Sequence, residues 1–315
     1  MDAVSGHDRA RYRAARGMNL QTRDFIGRRR CRMTGMGRPI LWCCVVLGLL
    51  GGPVGATAGL RPLRFGVLPL QSPVALARLF IPLCARLAKA LHRPIVFATA
   101  PDFRRFMARA EKGRYDVVFL NPYLYRRLHG YRAVARIKGV PFIGLLITRR
   151  GRHIGPLDPR NLAGRTIAFP DPDAFAATLM VKEYLRSHGV IVDTEMRPVY
   201  LRSQDSVILA VARGLVDLGG TWPWSLDQEP AAIRAKVRIL ARTKPGPEMP
   251  IAVRDNLPPA TVHALQAALI GLTKSAAGRA ILQRMRIPAG FAIATPREYA
   301  NIPRLLNPCA APASP

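Results

Sequence analysis

Five stretches of this 315-residue chain combine polar or aromatic side chains with the punctuation that turns a strand into a helix. Gln71 and Ser72 follow one apolar run. Asn121, Tyr123 and Tyr125 follow a second, and the turn from Asp171 to Ala177 follows a third. Gln204 and Asp205 open a helix, and Gly219 to Trp222 end another short run. In open α/β sheets the loops beyond the carboxyl ends of strands face a common crevice, and the helices they lead into begin with unpaired N–H groups that suit an anion. The chemistry these residues offer is therefore binding, by backbone N–H groups, amide and phenol side chains.

Catalysis has little support. The histidines beyond the leader, His92, His129, His153, His188 and His263, are scattered, and neither G-x-S-x-G nor H-E-x-x-H occurs. Asp171 and Asp173 read as helix-start residues in a turn rather than an acid/base pair. Cys31, Cys43, Cys44, Cys84 and Cys309 contain no C-x-x-C spacing, so no metal site and no cofactor is expected. Cys84 and Cys309 read as two unrelated thiols, with a disulfide open to them in an oxidising compartment.

The elements that must position these residues alternate. Apolar runs at 63–68, 94–99, 116–120, 142–148, 166–169, 190–199, 215–219, 237–241 and 251–254 read as strands. Helical stripes fall after Ser72, after Asp102, at 174–188, at 203–213, at 260–273 and at 278–285. This order predicts an α/β fold with mostly parallel sheets. The turn-rich GRHIGPLDPRNLAGR from Gly151 and the KPGPEMP run from Lys244 mark changes of lobe. The expected arrangement has residues 61–139 plus 248–306 in one lobe and 140–247 in the other, with two hinge crossings and a disordered tail at 307–315.

Residues 1–58 read as an address. An arginine-rich flank, a short uncharged apolar core from Ile40 to Leu50 and the small-x-small triplet Ala56-Thr57-Ala58 have signal-peptide layout, with cleavage expected after Ala58. The core is short for a bilayer span, so an uncleaved membrane anchor is the second reading. Lysine plus arginine number 48 against 19 acids, a formal charge of +29. The arginines are spread without a basic block beside interleaved aromatics, so a solvated basic surface is expected and no nucleic acid.

In this order and spacing, four segments resemble the phosphate/phosphite/phosphonate-binding proteins of ABC importers, which have the type II periplasmic binding-protein fold. They are FGVLP at Phe65–Pro69, YDVVFLNPYLY at Tyr115–Tyr125, DPRNLAGRTIAFPDPDAFAATL at Asp158–Leu179 and SQDSVILAVARGLVDLGG at Ser203–Gly220. The resemblance implies a periplasmic monomer that closes two lobes on a small, anionic ligand and presents it to an inner-membrane permease. A sensory protein reporting to a membrane kinase or cyclase, and an enzyme on the same fold, are the alternatives.

The resemblance places the ligand against Tyr123, Tyr125, Ala174, Phe175, Ala176, Ala177, Gln204, Asp205 and Trp222. Where phosphonate binders of the family have a Ser-Thr-Ser-Gly cradle, this chain has Ala174, Phe175, Ala176 and Ala177. Where they often have Ser-His-Asp it has Ser203, Gln204 and Asp205. Weaker phosphonate binding is implied, the more so if Asp173 caps the cradle's N–H groups. Each residue keeps a plainer reading. The tyrosines pack between helix and sheet, Gln204 and Asp205 are first-turn polar residues, Trp222 and Trp224 are buried anchors, and Phe175 fills space.

Overall fold

The computed structural model describes residues 60–302; the leader, its cleavage point, Cys309 and the 307–315 tail lie outside the described residues. Among the described residues eleven strands form two sheets. The first holds β1 (Leu63–Val67), β2 (Ile95–Ala98), β3 (Val117–Phe119), β4 (Tyr131–Ile137), and, from late in the chain, β10 (Pro250–Arg254) and β11 (Phe291–Ile293). The second holds β5 (Leu145–Arg149), β6 (Thr166–Phe169), β7 (Arg197–Tyr200), β8 (Leu218–Thr221) and β9 (Val237–Arg242). The spatial orders are β11-β4-β10-β3-β1-β2 and β7-β6-β8-β5-β9. The chain thus passes between the sheets twice, once between β4 and β5 and once between β9 and β10.

Each sheet is mixed. The neighbours β2, β1 and β3, and likewise β7, β6 and β8, are parallel, as right-handed strand-helix-strand units require. The strands flanking the crossings, β4, β5, β9 and β10, run antiparallel to their partners. The expectation of mostly parallel sheets therefore holds for one half of each. A chain that leaves a sheet and returns from the other side brings in strands of opposite direction.

Local sequence explains where the helices start. Ser72 accepts the Ala75 N–H and Pro73 fills the first turn of helix Pro73–Leu91. Asp102 caps Arg105 N–H at 2.7 Å, Asn121 caps Leu124 N–H at 2.8 Å, and Ser203 caps Ser206 N–H at 3.3 Å. Gly214, at φ 75°, ends helix Gln204–Arg213 in the left-handed conformation that glycine adopts without steric cost.

Two smaller apolar clusters fill the two faces of the second sheet. The largest cluster, built on the first sheet, does not stop at its own sheet. It takes in Ala174, Phe175, Ala176, Ala177, Met180, Trp222 and Trp224 from the segments after β6 and β8. Cys84 lies in that cluster with no disulfide partner among the described residues, and burial pushes its thiol up to about 12. No helix among the described residues is long and apolar enough to cross a membrane.

Candidate functional site between the two sheets

The loops at the carboxyl ends of β1, β3, β6 and β8 meet along one seam. Helix Gln204–Arg213 brings Gln204 and Asp205 there, and both bond to the loop after β1. Gln204 N–H donates to Leu70 O at 2.9 Å, and Ser72 N–H donates to Asp205 Oδ2 at 3.1 Å. The Gln204 side chain is buried and its Oε1 accepts the Thr221 hydroxyl at 2.8 Å. From the loop after β3, Asn121 uses both ends of its amide. Its oxygen caps its own helix, and its nitrogen donates to Asp173 O across the seam at 3.0 Å.

The expectation that Asp173 caps the following helix is not what the chain does. Its carboxylate pairs with Arg127 Nη1 at 3.3 Å, and Arg127 lies over the Tyr123 ring. The helix-start position belongs to Ala174, which has no side-chain acceptor. The first turn after it, Phe175–Met180, is wound as a π-turn, with Thr178 and Leu179 N–H both directed to Ala174 O at 2.8 and 3.2 Å. Among the described residues nothing accepts the N–H groups of Phe175, Ala176 and Ala177. Glycines let the sheet come close to this turn. A Cβ at Gly144 would lie 2.4 Å from Ala176 O, and one at Gly220 would lie 2.0 Å from Ala177 O.

Aromatic rings fill the middle of the seam. Phe175 stacks between Tyr123, at 6.4 Å and 17°, and Phe142, at 5.7 Å and 26°. Trp222 meets Phe142 edge-on at 5.2 Å and lies 5.4 Å from Trp224. With Leu70, Asn121, Gln204 and Met249 completing the walls, the cavity left is about 10 Å³, room for about one water. Trp224, after β8, also reaches across the seam, its Nε1–H donating to Met285 O at 2.7 Å beside the Gln228 amide at 3.0 Å.

Of the residues expected at the site, the structure brings Tyr123, Ala174, Phe175, Ala176, Ala177, Gln204, Asp205 and Trp222 to this seam. Tyr125 is placed elsewhere. Its hydroxyl accepts Ala133 N–H at 3.0 Å and its ring packs edge-on against Tyr299 in the cluster built on the first sheet. Phe142, Met249, Leu70 and Arg127 belong to the seam without having been singled out.

Two carboxyls near the seam sit in unusual surroundings. Burial, reinforced by the Asp205 charge, pushes Glu229 up to about 7, and burial pushes Asp171 up to about 6. Asp205 Oδ1, Gln71 Oε1 and Ser225 Oγ are buried with no hydrogen-bond partner among the described residues.

Two mixed α/β sheets linked by two crossings, with strand ends and helix starts converging on a seam, make this a type II periplasmic binding-protein fold. The chain belongs to the family described as ABC transporter, phosphonate, periplasmic substrate-binding protein, whose model matches residues 65–299. Among solved structures it is similar to the binding protein component of an ABC phosphonate transporter from Pseudomonas aeruginosa. That match has TM-score 0.71 and 17% identity, over 78% of this chain and 85% of that one. It is also similar to PhnD1 from Prochlorococcus marinus in complex with methylphosphonate, at TM-score 0.70 and 16% identity, over 78% and 96%. A third similar structure, a protein from Xanthomonas citri bound to chloride ion, has TM-score 0.62 and 20% identity, over 78% and 96%. At these identities the likeness is one of fold.

Proposed function

We propose that this chain is an exported receptor that binds a small oxyanion of the phosphate/phosphonate type in the seam between its sheets and presents it to a membrane permease. Residues 61–139 with 248–306 form one lobe and residues 140–247 the other, and the two crossings act as the hinge. The observation that carries the reading is the set of unused N–H groups on Phe175, Ala176 and Ala177, at a helix start facing the seam. Backbone N–H groups at such a place favour negative charge without any cationic side chain. Asn121 and Gln204 supply amides beside them, and Tyr123 and Trp222 supply the walls.

The side chains at 174–176 carry no hydroxyl, so an oxyanion held there lacks three side-chain donors and rests on the backbone N–H groups and the neighbouring amides, and binding is weak. The leader directs the chain across the inner membrane and is removed after Ala58. The protein works as a monomer without a cofactor and catalyses no reaction.

Amide NMR on isotope-labelled protein tests the reading. Titration with methylphosphonate is expected to shift the 175, 176 and 177 amide resonances at millimolar ligand. Shifts confined to residues outside the seam would contradict it.

A further inference from the structure

Phe175 stands where the resemblance puts a hydrogen-bonding side chain, and it is 1% exposed. It follows β6 of the second sheet, yet it touches the loop after β3 and both crossings. Tyr123, from the loop after β3, covers one face of its ring. Phe142, in the first crossing, stacks on it as well, and the Cε1 of Phe175 itself would lie 3.3 Å from a Cβ at Gly246 in the second crossing. The ring thus bridges the loop after β3 of the first sheet and both crossings. Around it, Leu70 with Gln204, Ser72 with Asp205, Asn121 with Asp173, Arg127 with Asp173 and Trp224 with Met285 hydrogen-bond across the same seam.

We propose that Phe175 is a specificity-determining residue that occupies the ligand's place. Its ring holds the lobes closed, and an oxyanion enters only by displacing it. The proposal rests on the reading of the seam as the ligand cleft.

Two facts support it. The cavity that remains, about 10 Å³, is smaller than any phosphonate, so the closed arrangement is complete with the chain's own side chains. The contacts that close it are apolar stacking and protein–protein hydrogen bonds, none of which needs a ligand. A ligand that must first populate an open form binds with an affinity reduced by the fraction that is open. Phe175 therefore weakens oxyanion binding beyond the loss of hydroxyl donors.

Small-angle X-ray scattering on the mature chain tests this, with the wild type and Phe175→Ala each measured alone and with methylphosphonate. The wild type is expected to be compact in both conditions. Phe175→Ala, its fold verified by circular dichroism, is expected to be expanded alone and compact with ligand. Its half-compaction should come at a concentration at least about tenfold below any response of the wild type.

A wild type that is expanded alone and compacts with methylphosphonate overturns the proposal. So does a folded Phe175→Ala that scatters like the wild type. Should the variant not fold, the two wild-type curves still decide. An expanded wild type would leave the 175–177 amide titration unaffected, so failure of this inference and failure of the binding reading are separate results.

Discussion

The Asp205 carboxylate receives the backbone N–H of Ser72 at 3.1 Å, joining the start of helix Gln204–Arg213 to the start of helix Pro73–Leu91. Its second oxygen is buried with no partner. Hydrogen bonds to charged groups contribute about 1.5–3 kcal/mol net, whereas an unmatched buried acceptor subtracts about 1–3. Asp205→Ala is therefore expected to cost only about 1 kcal/mol in urea denaturation, and Asp205→Asn, which keeps an acceptor for Ser72 N–H, less. Both changes should lower the pKa of Glu229, measurable by carboxyl-carbon NMR, since the Asp205 charge adds to burial in raising it.

Stability should depend on pH through Glu229. Its carboxyl titrates near 7 in the folded protein against 4.5 for its ordinary value, so the folded state holds the proton more tightly than the unfolded one. That advantage is fully present below about pH 4.5 and is lost as pH rises through about 7. Asp171, raised to about 6, acts in the same direction over a lower range. Glu229→Gln is expected to match the wild type at pH 4 and exceed it by about 1–3 kcal/mol at pH 8. Equal denaturation midpoints at pH 8 would contradict this.

Trp224 is a buried anchor with one polar tie, its Nε1–H to Met285 O. Trp224→Phe should cost about 1 kcal/mol, since the Gln228 amide still serves that carbonyl. Trp224→Ala should cost about 3–5 kcal/mol, because it also empties the cluster that spans the seam. Chemical denaturation distinguishes the two.

Gly220→Ala is expected to displace the 174–177 turn, since its Cβ would fall 2.0 Å from the carbonyl of Ala177. Large amide shifts at 174–177 with smaller changes in the first sheet are the expected result. An unperturbed turn would contradict the close packing described here.

Much of this arrangement was legible because strand-to-helix junctions carry caps and prolines, and Ser72, Asp102, Asn121 and Ser203 all act as caps. Tyr125 lies away from the seam for a reason of helical phase. It lies two residues after Tyr123 on a single helix, and positions i and i+2 do not share a face. When Tyr123 turns to the seam, Tyr125 turns to the interior. The 190–199 run, rich in β-branched residues, yields a strand only at Arg197–Tyr200, because Glu195 reaches back to Ile191 N–H and winds Val192–Glu195 into a helical turn. β4 is absent from the expected strands because Arg132 and Arg136 break its apolar run, and β11, with three residues, gives too short a pattern. Phe142 and Met249 carry no local mark of a site, and only the chain's return through the crossings brings them to Phe175.

Calorimetry tests the central claim, that residues 174–177 are an oxyanion seat stripped of its side-chain donors. The triple change Ala174→Ser, Phe175→Thr and Ala176→Ser restores the hydroxyls and removes the ring. With each neutral hydrogen bond worth about 0.5–1.5 kcal/mol, the three hydroxyls alone should raise methylphosphonate affinity by about one to three orders of magnitude over the wild type, and loss of the ring should add about tenfold or more to that. Tight binding by the wild type that the triple change leaves untouched would show that the ligand sits elsewhere.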